Sequence, residues 1–240
     1  MKRLIEQDLI KWKGQAGRKP LLIRGGRQVG KSHVVAAFGH THFDNCVVVN
    51  LEIHHECLKS FTTLEPYKII ASLSVLRQQE IVPGKTLLFI DEIQESQEAI
   101  LSLRYFKEKM PELHVIAAGS LLEFTLNQEN FRMPVGRVES LYMYPCSFKE
   151  FLIASGEQRA LDYLATVTVN DGIDPAIHEK LLGKLQEYFI VGGMPEVLAY
   201  FVEHHNYLRT QVLQSTLREN YRQDFGKYAA KGVKISHLTK

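Results

Sequence analysis

The sequence predicts an α/β fold in which a parallel sheet is sandwiched by helices and followed by a mainly helical second domain. Three observations carry this. Five β-rich runs alternate with stretches of helical length between Leu21 and Tyr144, the pattern of strands buried on both faces by crossover helices. The first run leads directly into a glycine-rich loop and then an amphipathic stretch. After Pro145 the β-rich runs give way to apolar residues at helical spacing.

In chain order, Leu4, Ile5, Leu9, Ile10 and Trp12 recur at helical spacing and predict a lead-in helix within 1–18, closed by Gly14 and Gly17 before Pro20. The strand-like runs are LLIR (21–24), CVVVNLE (46–52), TLLFID (86–91), HVIAAG (114–119) and RVESLYMY (137–144). They place a sheet domain over 19–145. From 146 to 240 the helical periods include Phe148, Phe151 and Leu152, then Leu181, Leu185 and Tyr188, then Leu213, Leu217 and Tyr221. ATVTV (165–169) reads either as one short strand or as the close of a helix. Gly192-Gly193-Met194-Pro195-Glu196 reads as the stop of one helix and the start of the next.

Bulk properties bound the function. The 240 residues are 45% apolar and carry a net charge of +2, enough for a sizeable core and too little charge for a uniformly basic nucleic-acid binder. Cys46, Cys57 and Cys146 have no metal or redox spacing and read as reduced thiols of a cytoplasmic protein. The N-terminus lacks the apolar core of a signal peptide. Every apolar run is far too short to span a bilayer, so no membrane role is expected.

Gly25-Gly26-Arg27-Gln28-Val29-Gly30-Lys31-Ser32 fits G-x-x-x-x-G-K-[ST] at each fixed position. Glycines let backbone N–H groups curl around phosphate oxygens, the lysine neutralises β and γ charge, and the hydroxyl serves Mg²⁺. The following helix points its N-terminus at the anion. The nucleotide-binding set therefore runs from Gly25 through Ser32 to His33. Further on, four apolar residues precede Asp91-Glu92. A buried strand ending in two carboxylates suits an aspartate holding Mg²⁺ through water and a glutamate orienting the attacking water. The plainer reading is a helix cap at Asp91 with Glu92 in the first turn.

CVVVNLE lies in sequence between the loop and the Asp-Glu strand, which implies that a strand from elsewhere separates those two in the sheet; HVIAAG is the candidate. This resembles the additional-strand P-loop NTPases, in which a polar residue at the tip of the inserted strand senses the γ-phosphate. Ser120 stands at that tip. It equally suits a cap for the LLEFTL stretch that follows.

GRQVGKS, LLFIDEIQ, AAGSLLEF, GRVESLYMYPCSFKEF and YFIVGGMPEVL together resemble the AAA-type ATPases of the AAA_14 family, whose phosphate loop is usually followed by a DUF4143 region. The resemblance implies an ATPase core with a lid-like helical domain, with ATP and Mg²⁺ as ligands. It also implies an arginine before the fifth strand that reaches a nucleotide, commonly in a neighbouring subunit. Arg137 stands there and would act through self-association, with Arg132 as fallback and solvation at a strand edge as the plain alternative. Turnover by isolated monomers is then expected to be slow. Chains of this family usually continue past residue 240, so the helical domain is expected to be truncated, as a fragment or a short relative. ATP over GTP rests on the resemblance and on the lack of an N-K-x-D segment.

His54-His55-Glu56-Cys57 and His40-Thr41-His42 lack ligand spacing and are set aside as metal sites. From Arg218 onward, Arg218, Arg222, Lys227, Lys231, Lys234 and Lys240 outnumber Glu219 and Asp224. That basic region either touches DNA through phosphates or forms a solvated face. Two functions follow. One is an ATPase in which Lys31, Ser32, Asp91 and Glu92 hydrolyse MgATP to drive a conformational change. The other is an ATP-dependent switch or DNA-associated module with little turnover.

Overall fold

The computed structural model describes residues 1–120, 136–168, 170 and 172–230. They form two compact units, Lys2–Pro145 and Cys146 onward. In the first, helix α1 (Ile5–Gly14) precedes strand β1 (Leu21–Arg24), α2 (Lys31–His42), β2 (Asn45–Asn50), α3 (Pro66–Arg77), β3 (Thr86–Asp91), α4 (Gln97–Lys109), β4 (His114–Ala118) and β5 (Glu139–Tyr142). The five strands run parallel in the order β2-β3-β4-β1-β5. The expected insertion is present: β4 lies between the loop strand β1 and the Asp-Glu strand β3.

Successive side chains of a strand point to opposite faces, and this alternation sorts the core. Leu21, Ile23, Leu87, Phe89, Ile116 and Ala118 face one way, onto Leu9 and Trp12 of α1 and Val34, Val35 and Phe38 of α2. Leu22, Leu88, Ile90, Val115 and Ala117 face the other, onto Ile69 and Leu73 of α3 and Ile100, Leu103 and Phe106 of α4. Each fully buried Leu, Ile or Phe contributes ~1.5–3 kcal/mol, so the inner strands are the most firmly held part of the unit. The lead-in helix is part of this core, because Leu9 is 0% and Trp12 3% exposed.

His114 opens β4 between the rings of Trp12 and Phe43, with centroids at 5.9 and 4.8 Å. Burial and the nearby Arg18 and Lys13 cations push its imidazole down to about 4, from 6.5. Above pH 6.5 both folded and unfolded chains hold the ring neutral. As pH falls, the unfolded chain takes a proton that the folded chain refuses until about pH 4, so stability is lost across that window. The expected loss is up to about 3 kcal/mol. Urea denaturation at pH 7 and pH 5 checks it: His114→Phe should lose less stability over that interval than the parent chain, and an equal loss in both would exclude His114 as the source.

The second unit holds α5 (Phe148–Ala154), α6 (Gln158–Leu164), α7 (Pro175–Val191), α8 (Pro195–His204) and α9 (Tyr207–Ala230). Ser147 and Glu150 form a capping box that starts α5, and the Asp174 carboxylate accepts from the Ala176 and Ile177 amides to start α7. Phe151, Leu152, Val197, Leu198, Phe201 and Leu217 make its core. The helix stop and start are as read: α7 ends at Val191, Gly192 follows at φ 74, and Pro195 opens α8. Of the two readings of ATVTV, Ala165 follows the helix end and caps α6, while Val169 lies outside the described residues. Cys46, Cys57 and Cys146 are buried, and no disulfide joins them among the described residues. No helix among the described residues is long and apolar enough to cross a membrane.

Candidate functional site

The phosphate loop leaves the C-terminal end of β1 and closes onto α2. Gly25 has φ +146, and a Cβ there would meet the Met143 carbonyl oxygen at 2.1 Å. Only glycine lets the loop start this close to the end of β5, where the Met143 amide donates to the Arg24 carbonyl at 2.8 Å. Gln28 (φ 60) and Gly30 (φ 93) are left-handed and alternate with Arg27 and Val29. Such alternation turns successive N–H groups into a concave anion nest. Holding Gln28 there costs about 1–2 kcal/mol, a strain of the kind concentrated at functional sites. Buried Arg3 braces the loop from beneath, donating to the Val29 carbonyl at 2.7 Å and to the Tyr144 carbonyl at 2.8 Å.

Lys31 opens α2. Its ammonium donates to the Gly25 carbonyl at 3.0 Å and the Gly26 carbonyl at 2.7 Å. Burial pulls this group below its ordinary value, Glu92 and Asp91 pull it back up, and Arg27 adds to the drop. The same interactions put the loop lysine within electrostatic reach of both carboxylates. Ser32 and His33, next on the helix, are exposed.

Asp91 ends β3 and is 5% exposed. Burial raises its carboxyl above the ordinary value, and the nearby Ser32 side chain opposes that rise. Asn50, in register with Asp91 on β2, donates its Nδ2 to Asp91 Oδ2 at 3.3 Å. The second oxygen, Oδ1, is buried with no hydrogen-bond partner among the described residues. A buried carboxylate oxygen left over beside a hydroxyl is a fitting donor set for a hard, oxygen-seeking cation. Asp91 and Ser32 are therefore the residues that would hold Mg²⁺.

Glu92 adopts a left-handed backbone (φ 50) and leads into a short 3-10 turn, Ile93–Glu95. Its carboxylate accepts from Gln94 Nε2 at 2.6 Å. Neither carboxylate caps the following helix. Ser96 does so, its hydroxyl accepting from the Ala99 amide at 3.1 Å.

Ser120 is fully buried just beyond the tip of β4, and Arg27 Nε donates to its hydroxyl at 3.3 Å. The LLEFTL stretch that follows Ser120, and Arg132, lie outside the described residues. The chain thus brings Gly25–Ser32, Asp91, Glu92 and Ser120 to one edge of the sheet.

Arg137 is elsewhere. It precedes β5, whose Glu139 pairs with Leu21 at the start of β1, while the loop begins beyond Arg24, opposite Tyr142. Five residues of strand at ~3.3 Å each put Arg137 roughly 15 Å from its own loop. There its Nε donates to Glu108 at 3.0 Å, and Arg104 donates to the same carboxylate. The two arginines hold the Glu108 carboxyl below its ordinary value.

Asn50, Gln94 and Arg3 belong to the site and were missed in the sequence. Asn50 had a signal, since CVVVN ends at the height at which LLFID ends. The other two are set by side-chain direction, which no spacing encodes. His54, set aside as a metal ligand, accepts from the Asn50 amide at 3.0 Å through Nδ1 and shapes the turn after β2.

No curated protein matches the chain. Among solved structures it is similar to Drosophila ORC bound to DNA, with 14% identity, a TM-score of 0.46 and coverage of 89% of this chain and 66% of that one. It is also similar to the Aeropyrum pernix ORC1 protein in complex with DNA, with 13% identity, a TM-score of 0.42 and coverage of 85% and 66%. The Aeropyrum pernix ORC2 protein in its ADPNP–ADP complexes gives 14% identity, a TM-score of 0.38 and coverage of 67% and 52%. The chain spans just under two thirds of the first two and about half of the third. A family model described as an AAA domain, AAA_14, matches residues 17–152, from before the phosphate loop to within α5. That is more than half of the chain, and the protein belongs to this AAA family as a P-loop module of the ATPase type.

Proposed function

We propose that this protein is an ATP hydrolase: it binds MgATP and converts it to ADP and phosphate, and the turnover drives a conformational change. One observation carries the reading. Lys31, Ser32, Asp91 and Glu92 meet at one sheet edge, with the Ser32 side chain close to Asp91 and a buried Asp91 oxygen left over.

The loop amides and Lys31 bind the β- and γ-phosphates. Ser32 and Asp91 would hold Mg²⁺, which would supply further positive charge for the phosphates. Glu92, steadied by Gln94, orients a water molecule in line with the γ-phosphorus. A water-oxygen–phosphorus bond forms, the bond from phosphorus to the β–γ bridging oxygen breaks, and ADP leaves with that electron pair. The water proton passes to Glu92 and then to solvent. Reduced, buried cysteines support a cytoplasmic setting.

Release of labelled phosphate from γ-labelled ATP, with and without Mg²⁺, tests the proposal. Glu92→Gln is expected to reduce kcat by about 100-fold with ATP affinity retained; an unaltered rate would remove Glu92 from its role. GTP competition tests the choice of base. The same assay with and without DNA separates a DNA-coupled machine, which DNA stimulates, from a switch that binds ATP tightly and scarcely turns over.

A further inference from the structure

Among the described residues, two buried side-chain oxygens have no hydrogen-bond partner: Asp91 Oδ1 and Gln94 Oε1. They flank Glu92 in the chain, at the end of the strand that leads into both carboxylates. A buried polar atom left unpaired costs about 1–3 kcal/mol, and in a polar site such an atom is commonly met by an ordered water or an ion. Asp91 Oδ1 fits a hard cation. Gln94 Oε1 is a neutral amide oxygen and fits a hydrogen-bond donor.

The two ends of that amide are distinguished by chemistry. An ionised carboxylate only accepts, so the atom 2.6 Å from Glu92 Oε2 is the donating Nε2 and the atom left over is the accepting oxygen. The turn that carries the amide is firmly seated. Ile93 is 0% exposed, the Glu95 amide donates to the Glu92 carbonyl at 3.1 Å, and the Ser96 amide donates to the Ile93 carbonyl at 3.1 Å. Glu92 and Gln94 therefore hold a base and an unused acceptor side by side. Water carries two protons, and a base that takes one leaves the other free to swing. A second acceptor stops that rotation and aims the oxygen lone pair.

We propose that Gln94 is the second acceptor for the attacking water. One proton of the water points at Glu92 and is transferred to it; the other is held by Gln94 Oε1, stays on the oxygen and leaves with the phosphate. This rests on the hydrolysis reading above and deepens it by naming what fixes the orientation of the water. Gln94 then has two tasks, donating to Glu92 through Nε2 and accepting from water through Oε1, and substitution separates them.

The test compares phosphate release by the full chain with that of its Gln94→Met, Gln94→Glu and Gln94→Lys variants, at about pH 8 so that the introduced carboxyl is ionised. Methionine removes both tasks, glutamate keeps acceptors alone, and lysine keeps a donor to Glu92 alone. Gln94→Met should lower kcat at least about 30-fold, with ATP affinity within about threefold of the parent as the sign of a folded loop. Gln94→Glu should recover part of the loss and Gln94→Lys should not, whereas an amide that merely steadies Glu92 gives the reverse order. A second readout needs no turnover. Crystals of the parent with ADP, Mg²⁺ and aluminium fluoride, which mimics the transferring phosphoryl group, should show an ordered water within about 3.2 Å of both Glu92 and Gln94 Oε1. A Gln94→Met rate within about threefold of the parent, Gln94→Lys more active than Gln94→Glu, or an in-line water that touches Glu92 without Gln94 overturns the proposal and leaves hydrolysis standing. A parent chain that binds ATP and never turns it over overturns the hydrolysis reading and this proposal together.

Discussion

Lys31→Ala is expected to weaken ATP binding about 1,000-fold, since removing one partner of a desolvated charge pair costs ~3–5 kcal/mol and every ~1.4 kcal/mol is tenfold. The lysine is 7% exposed and donates to two loop carbonyls, so its ammonium is already stripped of most water and has little further desolvation to undergo when phosphate arrives. Asp91 and Glu92 keep it charged against that burial. The fold should tolerate the change, because losing a buried ammonium offsets the loss of two hydrogen bonds. Equilibrium titration with fluorescent ATP, beside a urea melt, separates the effects. Unaltered affinity would mean that phosphate is not bound at this loop.

Gly25→Ala should be the most damaging change in the loop that adds only one carbon. The added Cβ would lie 2.1 Å from the Met143 carbonyl oxygen, at a φ of +146 that side chains avoid. Neither neighbour can yield cheaply, since both are backbone and the Met143 amide is bonded to Arg24. Prying the end of β5 from β1, or straining the loop, is expected to cost about 3 kcal/mol or more. Nucleotide affinity should fall at least about tenfold as the nest is deformed. Gly14→Ala, with nothing within 4 Å of the new carbon, is the comparison and should shift stability by less than about 1 kcal/mol. Equal denaturation midpoints for the two variants would refute the account.

Much of this was legible in the residues because burial imposes a period. Each β-rich run became a strand within a residue or two at most ends, and CVVVNLE between the loop and LLFID was enough to require an inserted strand, which is β4. Loop chemistry was equally readable, since glycines, lysine and hydroxyl are needed at fixed offsets. Side-chain direction was not. Whether Asp91 caps a helix or faces Ser32 depends on the left-handed turn at Glu92 and on Ser96 taking the cap, and neither leaves a periodic trace. Arg137 occupies the place the family resemblance assigns it, yet its distance from its own loop depends on strand register, which emerges only when β1 and β5 are paired.

The placement of β1 has a consequence for synthesis. Leu21 finds its hydrogen-bonded neighbours only at Ile116 and Glu139, so the strand that carries the phosphate loop leaves the ribosome long before either flank exists. β2 and β3 can pair meanwhile, and β4 can join them, but the Gly25–Ser32 loop has no wall until Met143 has emerged. Contacts this remote in sequence form late, since the intervening chain must first be closed into a loop. Nucleotide binding is therefore among the last properties the nascent sheet domain acquires, and a chain stopped short of β5 would carry the whole phosphate motif and still be unable to hold a nucleotide.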